Sequence, residues 1–459
     1  MRAQILALWN DVNHSYWFVP SLMVLAAIAL AFGLPALDLS VGGGWIADAD
    51  WLSANRPEGA RNLLTTVAGS MIGVAGVTFS ITIASVVYAS GQYGPRLLTN
   101  FMHDRGNQVT LGTFIATFLY CLLVLRTIRS AAEDGVNFVP HIALLAGLVL
   151  ALCSIGVLIY FIHHTPESIH VSNVIAEVGE SLCDKVDKLF PERFGGHPPS
   201  DAPGVRVALP DAFFDEATRV TAARSGYVQA VDDASLMGGA TAHDLVLRLR
   251  YRPGDFVVTG DTLALAWPPD RAGDVEDDIG RAFALGTQRT ALQDTRFLFN
   301  ELVEIAARAL SPGVNDPFTA ITCLDWLGAA LKALAARDHP PACRYDADGA
   351  LRVVAEASSF TDFLEHVFGQ LRPYLAGDPN ATQRAFLTMG EVGGRTDADG
   401  RAALRRHADA LLAGALEVLP IDADKETLRR RHAQLLQVLT GRVSFEQATA
   451  ETDWLGGTA

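Results

Sequence analysis

Eight serine and threonine hydroxyls, Thr65, Thr66, Ser70, Thr78, Ser80, Thr82, Ser85 and Ser90, punctuate residues 62–96, a stretch without a charge until Arg96 and long enough to cross a membrane. A span facing only lipid is built from Leu, Ile, Val and Phe, because hydrocarbon offers a hydroxyl no partner. These side chains must therefore meet water or other helices. Thr66, Ser70, Thr78, Ser80, Thr82 and Ser85 are the candidates for lining a polar pathway. The competing reading is packing: Gly69, Gly73 and Gly76 with Ser70 and Ala75 make a small-residue face, and hydroxyls can bond back to the carbonyl one turn earlier. The absence of any Asp, Glu or Lys within the span favours a passive conduit over a proton-coupled pump.

Three further groups could do chemistry. His163, Glu167 and His170 stand at i, i+4 and i+7, which on an unbroken helix gives two imidazoles and a carboxylate on one face, a weak metal-binding pattern interrupted by Pro166. The turn-rich segment after the hydroxyl-rich stretch holds Arg96, His103, Asp104 and Arg105, fit for a gate or coupling element on a short interfacial helix, or simply for a solvated loop. The string 289–320, RTALQDTRFLFNELVEIAARALSPGVNDPFTA, places Arg289, Gln293, Asp294 and Arg296 ahead of a turn at Asn315 and Asp316. Those groups suit a ligand pocket or a charged subunit interface. The plainer alternative is an amphipathic helix whose following turn caps the next one.

The elements that must position these residues follow from hydropathy. Apolar segments at about 17–37, 63–88, 109–125 and 141–162 each approach the roughly 20 residues a bilayer requires, and residues 1–165 form a four-helix transmembrane domain. Even span number puts both termini on one side, and the loop 89–108, with Arg96 and Arg105 against Asp104 where the loop 38–61 sets two arginines against four acids, favours the cytoplasm. A juxtamembrane helix over 166–194, a Pro/Gly-rich linker at 195–204, a small β module over 205–270 and a helical cytoplasmic domain over 271–459 complete the expected order. The overall class is an α-helical integral membrane protein carrying a C-terminal soluble α+β domain.

The β module, SGYVQAVD followed by DLVLRLRYRPGDFVVTGDTLALAWP, alternates apolar and polar residues between Pro-Gly-Asp and Gly-Asp turns and resembles the barrel-sandwich hybrid of biotinyl and lipoyl carriers. Such carriers need a lysine at a hairpin tip, and none occurs between Lys188 and Lys332, so no covalent cofactor is expected. Within 271–459, residues 275–310 read as broadly helical, with further helices from 318 and at roughly 356–376, 380–393, 401–418 and 423–440.

The chain's net charge of −15, without a basic stripe, argues against nucleic acid as a partner. Five cysteines without a CxxC pair indicate neither a disulfide framework nor a zinc knuckle. No GxSxG elbow, Walker A loop, HExxH or dinucleotide glycine fingerprint is present, so an enzyme is not expected. The loop YGPRLLTNFMHDRGNQVTLGTFIATFLYCLLVLR and the motif RALSPGVNDPFTA resemble the bacterial predicted membrane proteins grouped as the domain of unknown function 2254 family. The resemblance spans most of the chain and implies an inner-membrane protein with a cytoplasmic C-terminal domain, but no activity or functional residue. The expectation is a homo-oligomeric channel-like protein with lipid, its own copies and ions or a small ligand as partners. A membrane-tethered scaffold or sensor, or an intramembrane metal enzyme using the histidines, would be the alternatives.

Overall fold

Long uninterrupted apolar runs leave the backbone of the first third of the chain one economical solution, the helix, which satisfies its own amide groups. The computed structural model describes residues 15–41, 57–93, 104–129, 138–190, 209, 212–273, 275–337, 339–356 and 358–450. The chain divides into two units, Asp11–Asn173 and Val174–Ala459.

The first unit contains α1 (Phe18–Val41), α2 (Pro57–Tyr93), α3 (Arg105–Leu125) and α4 (His141–Ile169). All four are long and apolar enough to cross a membrane. Among them α3 is the most buried, packing on α1, α2 and α4. Ala27, Ala31, Ala60, Leu64, Ala68, Tyr120, Cys121 and Leu144 form their shared core. Polar groups tie the bundle at fixed points. Asp38 of α1 accepts hydrogen bonds from the Ile142 and Ala143 amides (3.0 and 3.2 Å), supplying the acceptor that the first turn of α4 lacks. The Tyr120 hydroxyl donates to the Ala143 carbonyl at 2.8 Å. Midway, Thr117 donates to Ser154 (3.1 Å), which itself donates back to the Leu150 carbonyl (2.7 Å).

The expected juxtamembrane helix is differently divided. Helix α4 runs through Pro166 and ends at His170, whose backbone is extended (φ −64°, ψ 124°), before α5 (Val171–Leu189) begins. Proline costs a helix its i−4 hydrogen bond, yet the end falls four residues later, where the Asn173 side chain donates to the Glu167 carbonyl (2.8 Å). The 195–204 linker lies outside the described residues.

In the second unit, α6 (Phe213–Glu216), β1 (Thr218–Thr221), β2 (Gly226–Val231), α7 (Asp233–Ala242), β3 (Val246–Leu249), β4 (Phe256–Val257), β5 (Thr262–Trp267), α8 (Pro269–Ala272), α9 (Glu276–Arg281) and β6 (Phe283–Gly286) precede two long helices. These are α10 (Thr295–Ala309) and α11 (Pro317–Ala335), followed by β7 (Cys343–Tyr345) and β8 (Leu351–Val354). The strands make a five-stranded sheet in the order β1-β5-β3-β8-β7 and a three-stranded sheet β4-β2-β6. Val220, Val228, Leu245, Leu247, Val257, Leu263, Phe283 and Val353 from both sheets enter one core. The sheets therefore draw strands from beyond residue 270. Residues 283–286, expected to be helical, are a strand because Phe283 enters this core and Ala284 packs with Ala230 and Leu292 on the other side while the segment pairs with β2. The parallel β3–β8 pairing brings in a segment more than a hundred residues away.

The chain closes with α12 (Phe360–Leu364), a π turn over Glu365–Gly369, α13 (Gln370–Leu375), α14 (Pro379–Gly393), α15 (Ala398–Val418), α16 (Asp422–Leu439) and α17 (Phe445–Ala450). A fifth helix of span-like composition, α11, packs on α10 and α14 here. It places Asp325 against Arg384 (2.5 Å) and Lys332 against Glu391 (2.6 Å).

Candidate functional site

One buried stripe runs along α2 through Ala60, Leu64, Ala68, Ala75, Thr78 and Thr82. Thr78 and Thr82 thus belong to the packed side of the helix, and Ser85 is half-buried beyond them. Thr66, Ser70 and Ser80 lie on the exposed side, together with Gly69, Gly73 and Gly76. A methyl added at any of those three glycines would meet nothing within 4 Å. Three of the hydroxyls bond back to carbonyls one turn earlier: Thr66 to Asn62 (2.7 Å), Ser80 to Gly76 (2.9 Å) and Thr82 to Thr78 (3.0 Å). The six candidates are therefore split between two faces.

A second polar row, on α3, is hidden in the sequence because it is interleaved with large apolar residues. Thr110, Thr113 and Thr117 are buried along with Asn107 and Gln108. Asn107 is 1% exposed, and neither atom of its amide has a hydrogen-bond partner among the described residues. Of the gate candidates, Arg96 and His103 lie outside the described residues. Asp104 caps α3 by accepting from the Gly106 amide (2.8 Å) and pairs with His164 at 2.7 Å, while Arg105 is exposed. Tyr160 stacks on His164 with ring centroids 4.9 Å apart. The expected interfacial helix falls largely within the undescribed 94–103, and α3 begins at Arg105.

The metal candidates are not gathered. His163 and Glu167 approach to 3.4 Å on the exposed side of α4, but His170 is the residue at which the helix breaks, so it leaves their face. Among the described residues no group of three His, Cys, Asp or Glu side chains is arranged to hold a metal ion.

In the second unit, by contrast, four of the six ligand or interface candidates converge. Asp294, with a side chain 1% exposed, receives Arg289 (Nη2 to Oδ2, 2.5 Å) and Arg296 (Nε to Oδ1, 3.4 Å). Arg296 also donates to Asp255 (3.0 Å) and to the Pro253 carbonyl (3.0 Å), tying the start of α10 to the Pro-Gly-Asp turn before β4. Gly254 in that turn has φ +92°, and a Cβ there would collide with the Asp294 carboxylate, so glycine is required twice over. Gln293 accepts from the Val231 amide (2.8 Å) and donates to its carbonyl (3.1 Å), prolonging β2's pairing with a side chain. Asn315 and Asp316 belong elsewhere. Asn315 takes the left-handed conformation (φ +51°), and Asp316 caps α11 through the Thr319 amide (3.2 Å) and hydroxyl (2.6 Å). That is the capping role, with Asp316 at the N-cap.

His366 of the π turn adjoins this network. It shares a 2.5 Å hydrogen bond with the Asn300 side-chain Oδ1 and a 3.1 Å bond with the Gln370 side-chain Nε2. A neutral ring, protonated at Nε2 and accepting at Nδ1, satisfies both partners. Burial, and then the Arg296 and Arg289 charges, hold its pKa below the usual histidine value. A depressed folded-state value means that the unfolded chain binds the extra proton more readily. The stability His366 protects is complete above the unfolded value, about 6.5, and erodes as pH falls through it toward the folded value. His366→Gln should therefore flatten the decline in melting temperature between roughly pH 7 and 5. An unchanged slope would sink this account. His407, also lowered by burial, contributes a slope of the same sign.

Two cavities flank the strand end next to the network. One of about 420 Å³ is lined by Phe214, Arg248, Arg250, Arg252 and Glu356, among others. The other, about 540 Å³, is lined by Arg252, Gln293, Asp294, Arg296, Arg344 and Phe363, among others. The three arginines of β3 and its extension are masked in the sequence by the apolar half of the alternation, Leu245, Leu247 and Leu249.

Comparison with known proteins agrees with the membrane character of the first unit. Residues 13–391 match the family model described as "Predicted membrane protein (DUF2254)". The chain is 30% identical to uncharacterized protein Rv1290c of Mycobacterium tuberculosis (strain H37Rv) and, equally, to uncharacterized protein Mb1321c of Mycobacterium bovis. Each alignment covers 97% of this chain and 87% of the relative. No solved structure matches. With apolar helices gathered in its N-terminal unit and a family model over most of its length, the chain belongs to the domain of unknown function 2254 family of predicted membrane proteins.

Proposed function

We propose that the chain forms a homo-oligomeric, channel-like permeation protein of the bacterial inner membrane, with α2 nearest the assembly axis, both termini cytoplasmic and the second unit acting as gate or sensor rather than as an enzyme. The observation that carries this reading is the uncovered face of α2. Gly69, Gly73 and Gly76 have open space around them, and Thr66, Ser70 and Ser80 are exposed beside them. A small, polar face within an apolar helix calls for another helix or for water, not lipid. Four spans, α1 to α4, fit this picture. The fifth apolar helix, α11, carries Asp325 and Lys332 in ion pairs with α14, as befits the core of a water-soluble unit. Two sheets around one core support the barrel-sandwich reading of the β module.

The test is flux. On a background with Cys121 and Cys153 replaced, Ser70→Cys and Ser80→Cys should react with aqueous thiol reagents, and purified protein in liposomes should conduct ions. Gly73→Ile should shrink the cross-linked oligomer. Silent recordings over wide voltage and ligand ranges, with both cysteines unreactive, would defeat the proposal.

A second reading, a scaffold or sensor whose spans only anchor and oligomerise it, is favoured by the back-bonded hydroxyls of Thr66, Ser80 and Thr82, which need no water. Exchanging the four spans for an unrelated anchor of the same topology preserves the phenotype only under this second reading.

A further inference from the structure

The alternation that buries Leu245, Leu247 and Leu249 sends Arg248, Arg250 and Arg252 to the opposite face of β3 and its extension. Three guanidinium groups at a two-residue spacing thus line the wall of the 420 Å³ cavity, opposed there by only two acids, Asp255 and Glu356. The acids do not occupy them fully. Glu356 is 77% exposed and stands 3.7 Å from Arg248, and Asp255 is 4.0 Å from the Arg252 Nε while also serving Arg296. Among the described residues Arg250 is exposed and enters no ion pair. A local excess of cations is unexpected in a chain of net charge −15, and no lysine occurs in this module to account for it as general solubilising charge.

The cavity also offers flat apolar surface. Phe214 is 53% exposed, with the Arg248 guanidinium 4.9 Å from its ring centroid, so the pair presents a stacked cationic and aromatic platform. Tyr251 and Arg252 border both cavities, so the second space of 540 Å³ adjoins the first across them. Volumes of this size suit a small organic ligand. Guanidinium forks match phosphate oxygens in geometry and charge, which a single ammonium does not. A planar ring beside an arginine row is the counterpart of a base attached to phosphates.

We propose that the Arg248, Arg250 and Arg252 face with Phe214 is a binding site for a nucleotide, its phosphates held by Arg250 and Arg252 and its base stacked at Phe214 and Arg248. The site gives the sensing unit of the preceding reading a ligand class. It does not depend on a pore, because binding is read without flux.

The experiment uses the full-length protein in detergent micelles and isothermal titration calorimetry. The probes are ATP, ADP, GTP, NAD and cyclic dinucleotides, with inorganic pyrophosphate as the ring-free control and adenosine as the phosphate-free control. At least one nucleotide should saturate the protein at micromolar concentration, and its affinity should fall as salt is raised. Arg250→Gln and Arg252→Gln should each weaken it by about tenfold or more, as expected for charge-assisted contacts, and Phe214→Ala by about threefold or more. Both controls should bind at least about tenfold more weakly than that nucleotide. Arg250→Gln removes no ion pair and should melt with the wild type, so its loss of binding is not a loss of fold. The proposal is overturned if no nucleotide saturates the protein below about 1 mM, if pyrophosphate binds as tightly as any nucleotide, or if binding survives both arginine substitutions. Failure here leaves the conduction test standing, and silent liposomes leave this one standing.

Discussion

Asp294→Ala lowers the melting temperature of the second unit by about 5–10 °C, corresponding to roughly 3 kcal/mol. The carboxylate is nearly inaccessible and receives two guanidinium groups that are themselves only about a fifth exposed. Removing one member of a buried charge cluster costs more than the cluster contributes, because the remaining charges stay desolvated without a partner. Their partial exposure lets water answer some of that demand, which is why the lower end of the usual range applies. Asp294→Asn, which keeps the volume beside Gly254, should fall between the alanine variant and the wild type. Thermal denaturation followed by circular dichroism distinguishes these cases, and an alanine variant melting within a degree of wild type would refute the role assigned to the cluster.

Gly179→Val is the second substitution with a large expected effect. A Cβ at Gly179 would fall among the Cγ, Cδ2 and Cε3 atoms of the Trp326 indole, so α5 lies against α11 only because residue 179 has no side chain. Ile175, Val178, Leu182 and Val186 of α5 are buried as well. Arg337 fixes the far end of α5 by donating to the Phe190 carbonyl (2.5 Å) and pairing with Asp187 (2.7 Å). Valine forces the helices apart or the indole out of place, at a cost of about 3 kcal/mol or more. Because one clash is responsible, Trp326→Ala should recover much of the loss in the double variant, a coupling of about 1–3 kcal/mol. Strictly additive effects in chemical denaturation would show that the contact is not the cause.

What the sequence revealed was governed by how local each signal is. Helices α1 to α4 were legible as helices because length and hydropathy need no partner to be read, whereas α2 (Pro57–Tyr93) and α4 (His141–Ile169) run well past the apolar segments 63–88 and 141–162, since a helix continues where hydropathy stops. Which face a hydroxyl takes depends on the neighbouring helix, so Thr78 and Thr82 could not be separated from Ser70 and Ser80 beforehand. Strand β8 has four residues and a parallel partner far away in the chain, leaving almost no periodicity to detect. Residues 283–286 lie among helix-compatible apolar spacings, and only their pairing with β2 decides the matter. The Asp294 network was recognisable as a cluster of polar residues around 289–296, but its fourth member, Asp255, arrives from a turn some forty residues earlier. Asn315 and Asp316 were legible in the plainer of their two roles, since Asn-Asp-Pro before an apolar run is a helix start.

The length of α2 carries a mechanical consequence. Its apolar portion, residues 63–88, lies beyond Glu58 and Arg61 and has 26 residues, so it extends about 39 Å at 1.5 Å per residue. A bilayer's hydrocarbon layer is about 30 Å thick, and tilt alone would have to reach roughly 40°, the upper limit of the 0–40° range of spanning helices. Val77, Phe79, Ile81, Ile83, Val87 and Tyr88 are exposed along its second half. A helix so mismatched makes the thickness of the surrounding lipid a variable in the protein's own energy, so the tilt of α2 should follow acyl-chain length.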